Sequence, residues 1–258
     1  MKLGELIVNR MAFGAMRLCG SNVWGPPKNR VNAHRVLRRA LELGINFVDT
    51  ADSYGPEVSE TLIAEALHPY PRDLVIGTKG GLLRPSPPRW DVDARPEHLR
   101  RALEGSLSRL KLECIDLYQV HAPDPRVPFA DSVGALADAQ RAGKIRHIGL
   151  SNISVTQLEQ ACRIAAIVSV QNRYNFEDGG PRTCSGLARA RASPLSLGFH
   201  WAQGPRLCRP RSNARPRGST PHPPKCCLPG CSPDRPLCCS SPARRPLPTW
   251  KRTLKPRR

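Results

Sequence analysis

Residues 45–55 read INFVDTADSYG, a short apolar strand that ends on a carboxylate and runs into a polar loop closed by glycine. The preceding segment, Val31–Leu43, repeats apolar side chains at helical spacing and stops at Gly44, a residue suited to a helix C-terminus. A second helical pattern follows at Ser59–Leu67, with Ser59 as a candidate N-cap. The stretch therefore predicts a buried strand between two helices, the repeating unit of a parallel α/β fold.

The same alternation extends in both directions along the chain, after a short strand pair at residues 1–14. Strands are predicted at Met11–Arg17, Ile45–Asp49, Leu74–Thr78, Cys114–Val120, Ile145–Leu150 and Ile167–Gln171. Helices are predicted at Val31–Leu43, Ser59–Leu67, Pro96–Leu110, Ala130–Ala142 and Ser154–Ile164, the third with proline in its first turn. This pattern favours an α/β fold, a (β/α)8 TIM barrel that is incomplete, with about six of its eight strand-helix units.

An open doubly wound sheet would also explain the alternation of strands and helices. Its nucleotide-binding form needs a glycine-rich turn, GxGxxG, after an early strand, and the sequence contains none. The barrel is therefore the favoured architecture.

The composition divides the chain near residue 178. The net charge is +19, but residues 179–258 hold 17 Lys and Arg side chains against one acid, with seven of the ten cysteines and 15 of the 27 prolines. That segment has no sustained apolar period with which to bury a core. We expect residues 1–178 to form the partial barrel and residues 179–258 to be a disordered basic tail.

Polar and ionisable side chains follow the predicted strands at their carboxyl ends, where the active sites of barrels are built. Asp49 and Tyr54 follow the second strand, Lys79 the third and His121 the fourth. The fifth and sixth strands end on polar residues as well: Ser151, Asn152, Gln171 and Asn172. Polar groups at five successive strand ends predict a reaction centre at one rim of the barrel.

The sequence resembles the aldo/keto reductase family in the motifs NFVDTADSYG, TKGG, LYQVHAPDP, GLSN and VQNRYN, which occur in the family's order and spacing. The resemblance extends from Leu3 to about Asp178. It implies an oxidoreductase that reduces an aldehyde or ketone to an alcohol by hydride transfer from NADPH, with a small-molecule carbonyl compound as its partner.

The resemblance assigns the family's catalytic tetrad to four residues of this chain: Asp49, Tyr54, Lys79 and His121. Hydride transfer to a carbonyl carbon leaves an alkoxide that must be protonated, and free tyrosine, with a pKa near 10, is a slow donor at neutral pH. The ammonium of Lys79 is expected to favour the phenolate of Tyr54. Asp49 is expected to fix Lys79, and His121 to orient the carbonyl oxygen.

The resemblance also suggests which residues contact the cofactor and the substrate. Ser151, Asn152 and Gln171 match the positions that hold the nicotinamide carboxamide. The predicted cofactor site also includes residues at the first strand end and the aspartate of the tetrad: Gly14, Met16, Arg17 and Asp49. The predicted substrate pocket combines two loop tryptophans with two tetrad members: Trp24, Trp90, Tyr54 and His121.

After the sixth strand the sequence departs from the family, which continues with a helix, a seventh strand and a Pro-Trp-x-Pro-Leu segment. Codons permitted by residues 183–201, read one base out of frame, allow such a helix and such a segment. We hypothesise a frameshift near Asp178–Pro181, natural or introduced in sequencing. The family's last strands hold the cofactor's aromatic contact and its adenosine phosphate, so we expect impaired activity. A catalytically dead nucleotide-binding or interaction module is the alternative.

Other classes of function are disfavoured. The tail cysteines lack paired CxxC spacing and histidine partners, so no metal site is expected. The arginine runs could bind nucleic acid through phosphate, but out-of-frame GC-rich codons also yield arginine, and no specific nucleic acid partner is expected. No apolar stretch approaches the ~20 residues of a membrane helix. We expect a cytoplasmic monomer with free thiols at Cys19, Cys114 and Cys162.

Overall fold

The computed structural model describes residues 1–172, in which strands and helices alternate. The strands are β1 (Lys2–Leu3), β2 (Leu6–Ile7), β3 (Phe13–Gly14), β4 (Phe47–Asp49), β5 (Val75–Gly80), β6 (Leu82–Leu83), β7 (Asp91–Val92), β8 (Ile115–Val120), β9 (Ile145–Ser151) and β10 (Ile167–Gln171). The α-helices are α1 (Arg30–Glu42), α2 (Val58–Leu67), α3 (Pro96–Leu110), α4 (Phe129–Arg141) and α5 (Val155–Ala161). Two 3-10 helices follow β3, at Ala15–Leu18 and Ser21–Val23.

The central sheet has six strands in the order β10-β9-β8-β5-β4-β3, and every neighbouring pair is parallel. Each strand is joined to the next one in the sheet through a helical crossover. The described residues therefore form a half-barrel, an incomplete (β/α)8 fold, as the sequence predicts. The predicted tail at residues 179–258, the domain boundary near 178 and the hypothesised frameshift lie outside the described residues.

The alternation of side chains along each strand separates an apolar layer from the concave face of the sheet. Val48, Ile76 and Tyr118 belong to the large core between the sheet and the helices. Their neighbours on the concave face become polar toward the carboxyl ends of the strands. Gly149 keeps room there, because a Cβ atom at this position would collide with the Ser169 hydroxyl and lie 2.8 Å from Cγ of Gln119.

The N-terminal hairpin of β1 and β2 covers the amino-terminal end of the sheet. Leu3 and Val8 are buried there in a small cluster with Phe47, Val75 and Leu117 of the concave face. The hairpin, whose two strands pair antiparallel, confirms the short strand pair predicted from the sequence. It closes the end of the sheet opposite to the polar strand ends.

Local sequence signals predicted several helix ends correctly. Helix α1 stops at Glu42, and Gly44 follows in the left-handed conformation with φ 86°. Helix α3 begins at Pro96, in agreement with the proline expected in its first turn.

Three predictions of local structure were wrong. The first predicted strand, Met11–Arg17, is reduced to Phe13–Gly14, because β3 pairs with only two residues of β4 before the chain turns into a 3-10 helix. Ser59 does not cap α2. Glu57 is the N-cap, and the buried Ser59 hydroxyl accepts a hydrogen bond from Thr50 instead. Helix α5 ends at Ala161, three residues before the predicted end.

None of the helices in residues 1–172 combines the length and apolarity required to cross a membrane.

Candidate active site

Lys79 and Asp49 form a buried ion pair on the concave face of the sheet. Asp49 ends β4, and Lys79 lies near the end of β5, the adjacent strand. The Lys79 ammonium donates to Oδ2 of Asp49 at 2.7 Å and to the carbonyl oxygen of Thr50 at 2.8 Å. Burial acts to lower the pKa of Lys79, but the charges of Asp49 and Tyr54 outweigh it and raise that pKa. Lys79 is therefore a fixed cation.

Tyr54 lies beside this ion pair, in the loop between β4 and α2. The Lys79 ammonium is 5.5 Å from the centroid of the Tyr54 ring. Burial of the phenol raises its pKa and outweighs the opposing effect of Lys79. The sequence argument considered only the lysine, which favours the phenolate. In this structure Tyr54 is a protonated phenol at neutral pH, with a cation close enough to stabilise the charge that forms when the proton leaves.

His121 completes the group from the end of β8. Its ring meets that of Tyr54 edge to face, with centroids 5.7 Å apart. Burial, reinforced by the charge of Lys79, holds the pKa of His121 well below its usual range, so the imidazole is neutral. The Ser53 hydroxyl lies 3.4 Å from Nδ1. When Ser53 donates to Nδ1, the ring proton is on Nε2, which becomes a donor for a ligand oxygen.

The low pKa of His121 predicts a pH-dependent stability. Below about pH 6.5 a histidine of the unfolded chain gains a proton that the folded His121 does not accept. The free energy of unfolding should therefore fall with decreasing pH by up to about 1.4 kcal/mol per pH unit from this group. The neutral variant His121→Gln should show a flatter dependence between about pH 6.5 and 5 in urea titrations. Parallel curves for both proteins would contradict a neutral His121.

The carboxyl ends of β9 and β10 bring hydroxyl and amide groups to the same rim. The Ser151 hydroxyl donates to the carbonyl oxygen of Gln171 at 2.7 Å. The Asn152 amide donates to the Ser151 hydroxyl at 3.1 Å and to the carbonyl oxygen of His121 at 3.0 Å. Asn152 adopts a left-handed conformation with φ 58°. The three residues predicted to hold a carboxamide are thus linked to one another and to His121.

Gln171 also reaches across the sheet to the ion pair. Its Nε2 atom lies 3.3 Å from Oδ2 of Asp49, although β10 and β4 are separated by three intervening strands. In a flat sheet these strands would be roughly 19 Å apart. The hydrogen bond is possible because the sheet curls into an arc, so the amide groups and the ion pair face one common space.

The first strand end lies at the other edge of the site. Gly14, Met16 and Arg17 line one cavity of about 620 Å³ with the start of α1. Met16 also packs against the cluster that contains Tyr54. The three predicted cofactor residues therefore line one cavity, and two of them also contact the tetrad: Gly14 pairs with Asp49 in the sheet and Met16 packs near Tyr54.

The two tryptophans of the predicted substrate pocket are linked through an arginine. The backbone of Trp24 forms a bridge with Gly55, next to Tyr54. The Arg84 guanidinium carbon lies 5.6 Å from the Trp24 ring centroid and 3.9 Å from that of Trp90. Trp90 is the more exposed of the two rings, with 37% of its surface accessible. Arg84 was not predicted, because no motif or period distinguishes it in the sequence.

A second buried group supports the tetrad from the helix side of the sheet. The Thr78 hydroxyl donates to Oε1 of Glu60, and Nε of Arg109 donates to Oε2 of Glu60 at 2.7 Å. Burial, followed by the negative charge of Glu60, raises the pKa of Asp52 well above its usual range. The backbone N–H of Asp52 donates to the carbonyl oxygen of Lys79 at 3.2 Å. Sequence reasoning missed this network, although Asp52 and Ser53 lie within the stretch that it singled out.

Together these groups form a proton donor beside a fixed cation and a neutral imidazole, next to amide and hydroxyl side chains. Such a set can protonate a developing oxyanion and orient the group that bears it. Amide and hydroxyl groups are suited to pairing with a carboxamide, so the donors at the ends of β9 and β10 fit the nicotinamide expected from the sequence.

Comparison with known proteins gives consistent matches. The model of the aldo/keto reductase family matches residues 10–188, extending past the limit estimated from the motifs. An uncharacterized oxidoreductase of Schizosaccharomyces pombe is 47% identical over 175 residues, covering 68% of this chain and 57% of that protein. Pyridoxine 4-dehydrogenase of Escherichia coli is 44% identical over 180 residues, covering 67% of this chain and 63% of that protein.

A solved structure shares the fold. The glycerol dehydrogenase of Gluconobacter oxydans matches with a TM-score of 0.62 and 32% identity, over 67% of this chain and 54% of that protein. The chain spans only part of the two curated relatives: 57% of the Schizosaccharomyces pombe protein and 63% of the Escherichia coli protein.

Proposed function

Because the chain belongs to the aldo/keto reductase family, we propose that it is an oxidoreductase that reduces an aldehyde or ketone to an alcohol, with NADPH as the hydride donor. The observation that supports this most directly is the convergence of Asp49, Tyr54, Lys79 and His121 at one rim of the sheet. The relative that acts on pyridoxine and the neighbour that acts on glycerol are named for the same alcohol–carbonyl chemistry.

In the proposed reaction the carbonyl carbon would receive a hydride from a nicotinamide cofactor held by this rim, and that cofactor would become oxidised. The carbonyl oxygen takes the proton of the Tyr54 hydroxyl, and the bond between that proton and the phenol oxygen breaks. Lys79 stabilises the phenolate that remains, while Asp49 keeps the ammonium in place. Nε2 of His121 donates a hydrogen bond to the carbonyl oxygen and sets its direction. Ser151, Asn152 and Gln171 would hold the carboxamide and thereby orient the nicotinamide.

The preference for NADPH over NADH is supported by the family resemblance. The remaining elements of the proposal are a cytoplasmic location, a monomeric state and a reductase domain over residues 1–178. The free thiols of Cys19, Cys114 and Cys162 support a reducing compartment. Size-exclusion chromatography with light scattering tests the monomer, and an elution mass of a dimer would contradict it.

The test is a two-step measurement on the full chain. NADPH and NADH are first titrated against the intrinsic tryptophan fluorescence. NADPH oxidation is then followed after addition of pyridoxal or glyceraldehyde, the carbonyl compounds suggested by the two named relatives. We expect saturable NADPH binding and aldehyde-dependent oxidation. Binding without turnover would support the catalytically dead nucleotide-binding module, and absence of binding would contradict both.

A further inference from the structure

Arg84 lies in the loop between β6 and β7, above the carboxyl end of β5. Only 5% of its surface is accessible, which is unusual for a charged side chain without a carboxylate partner. The guanidinium carbon of Arg84 lies over the Trp90 ring, 3.9 Å from its centroid, and over the Trp24 ring at 5.6 Å. Cation–π contacts use the face of the guanidinium, so its in-plane N–H groups remain available as donors.

Most of those donors have no partner within residues 1–172. Nη2 donates to the carbonyl oxygen of Asn22 at 2.8 Å, whereas Nε and Nη1 are buried and form no hydrogen bond with the described residues. No described carboxylate pairs with Arg84. Burial accordingly lowers its pKa. Arg109 has the usual arrangement of a largely buried arginine, because its guanidinium pairs with the carboxylates of Glu57 and Glu60.

Leaving buried donors of a charged group unpaired is unfavourable, and a group that is retained in this state calls for a functional explanation. The strain around it points the same way. Asn22, which accepts from Arg84, and the next residue, Val23, both have φ 57°. A positive φ is a costly conformation for a β-branched residue, and such strain concentrates at ligand-binding sites.

The surroundings place Arg84 at the substrate side of the proposed active site. Trp24, on which it lies, is bridged to Gly55, the residue after Tyr54. Cys19, whose thiol is close enough to interact electrostatically with Arg84, packs in the same cluster as Tyr54. Ser151, Asn152 and Gln171, which would face the nicotinamide, lie at the carboxyl ends of β9 and β10, at the other side of Lys79 and His121.

We infer, on the basis of the proposed function, that Arg84 is a specificity-determining residue that binds an anionic oxygen group, a carboxylate or a phosphate, of the carbonyl substrate. Nη2 gives one of its two N–H groups to Asn22, and in a planar guanidinium its second N–H runs parallel to a free N–H of either Nε or Nη1, which is the fork that pairs with two oxygens of one anion. An aldehyde that carries an acidic group at its far end would place that group against Arg84 and its carbonyl oxygen near Tyr54.

Binding of non-reducible probes tests this inference without requiring turnover. Benzoate and phenyl phosphate, and the neutral analogue benzamide, are titrated by calorimetry into the full chain saturated with NADP⁺, so that the cofactor's own phosphate positions are occupied. We expect benzoate or phenyl phosphate to bind at least about tenfold more tightly than benzamide. The tighter of the two anions identifies the substrate group as carboxylate or phosphate. Equal affinities for the anions and benzamide would overturn the inference.

Variants then assign the preference to Arg84. Arg84→Met should abolish it, and Arg84→Lys, which keeps the charge but not the planar fork, should reduce it several-fold. Arg89→Met is the matched control, because Arg89 is an exposed arginine of the same loop that pairs with Asp91. That variant should keep the preference. If Arg84→Met still binds the anions more tightly than benzamide, the inference is overturned. If Arg84→Met does not fold, an undiminished preference in Arg84→Lys overturns it instead.

The two proposals fail in different ways. One outcome is that the full chain binds benzoate through Arg84 while none of the aldehydes causes NADPH oxidation. In that case the proposed reaction is wrong and the anion site stands. If it reduces benzaldehyde and 4-formylbenzoate with equal kcat/KM, and Arg84→Met leaves that ratio unchanged, the reaction stands and the anion site is wrong.

Discussion

Tyr54→Phe is expected to lower kcat for carbonyl reduction roughly 10²- to 10⁴-fold, enough to abolish measurable turnover. The variant loses only the hydroxyl, so the alkoxide formed by hydride transfer has no positioned donor. The ring remains to pack against His121 and the cluster of Cys19, Val23 and Ala51. NADPH affinity, measured by fluorescence titration, should therefore change little.

The control is Tyr70→Phe, which removes a hydroxyl from the opposite end of the sheet. The Tyr70 hydroxyl donates to the carbonyl oxygen of Leu110 at the end of α3. This variant should keep the kcat of the unchanged chain at a modest cost in stability. A Tyr54→Phe protein that reduces aldehydes at the original rate would remove Tyr54 from the reaction.

Lys79→Met should have the largest effect on stability among single changes in the site. The lysine is 1% exposed, and its loss leaves the Asp49 carboxylate buried without its cation. Removing one partner of a buried ion pair typically costs about 3–5 kcal/mol in the free energy of unfolding. The phenolate of Tyr54 would lose its nearest cation as well, so catalysis should fall together with stability.

A double replacement separates the ion pair from the packing around it. In Lys79→Met with Asp49→Leu both charges of the ion pair are removed, and the two apolar side chains fill similar volumes. We expect the double variant to be more stable than Lys79→Met, while reduction stays undetectable. Urea unfolding followed by circular dichroism measures the free energy of unfolding of Lys79→Met, Asp49→Leu and the double variant. If the double variant is destabilised by the sum of the single changes, the pair is not coupled in the way the geometry indicates.

The order of strands and helices could be predicted from the sequence because it follows from short-range patterns. Gly44 and Pro96 mark helix ends by backbone conformation alone, and the structure confirms both. Ser59 gave the same kind of local signal, but tertiary contacts decided its role. Its hydroxyl is buried against Thr50, and Glu57 begins the helix.

The contacts within the site could be predicted only where a motif marked them. The pairing of Lys79 with Asp49 was expected from the family resemblance, and the structure contains it. Arg84 and Arg109 act through partners more than forty residues away, and no local period identifies such pairs. The pKa of Tyr54 differed from the sequence argument for a related reason. Burial depends on the whole fold, whereas the lysine charge could be inferred from the motif.

The hydrogen bond between Gln171 and Asp49 has a consequence for synthesis of the chain. It joins residues 122 positions apart, so nearly all of the described residues must be synthesised before Asp49 can accept this hydrogen bond. Contacts between residues so far apart in sequence form late, because the chain loses the entropy of closing a long loop before the contact contributes any stabilising energy. A nascent chain that stops before β10 lacks Ile167 and Val170 of the core as well, so chaperone binding to the exposed apolar surface should decline once β10 has emerged.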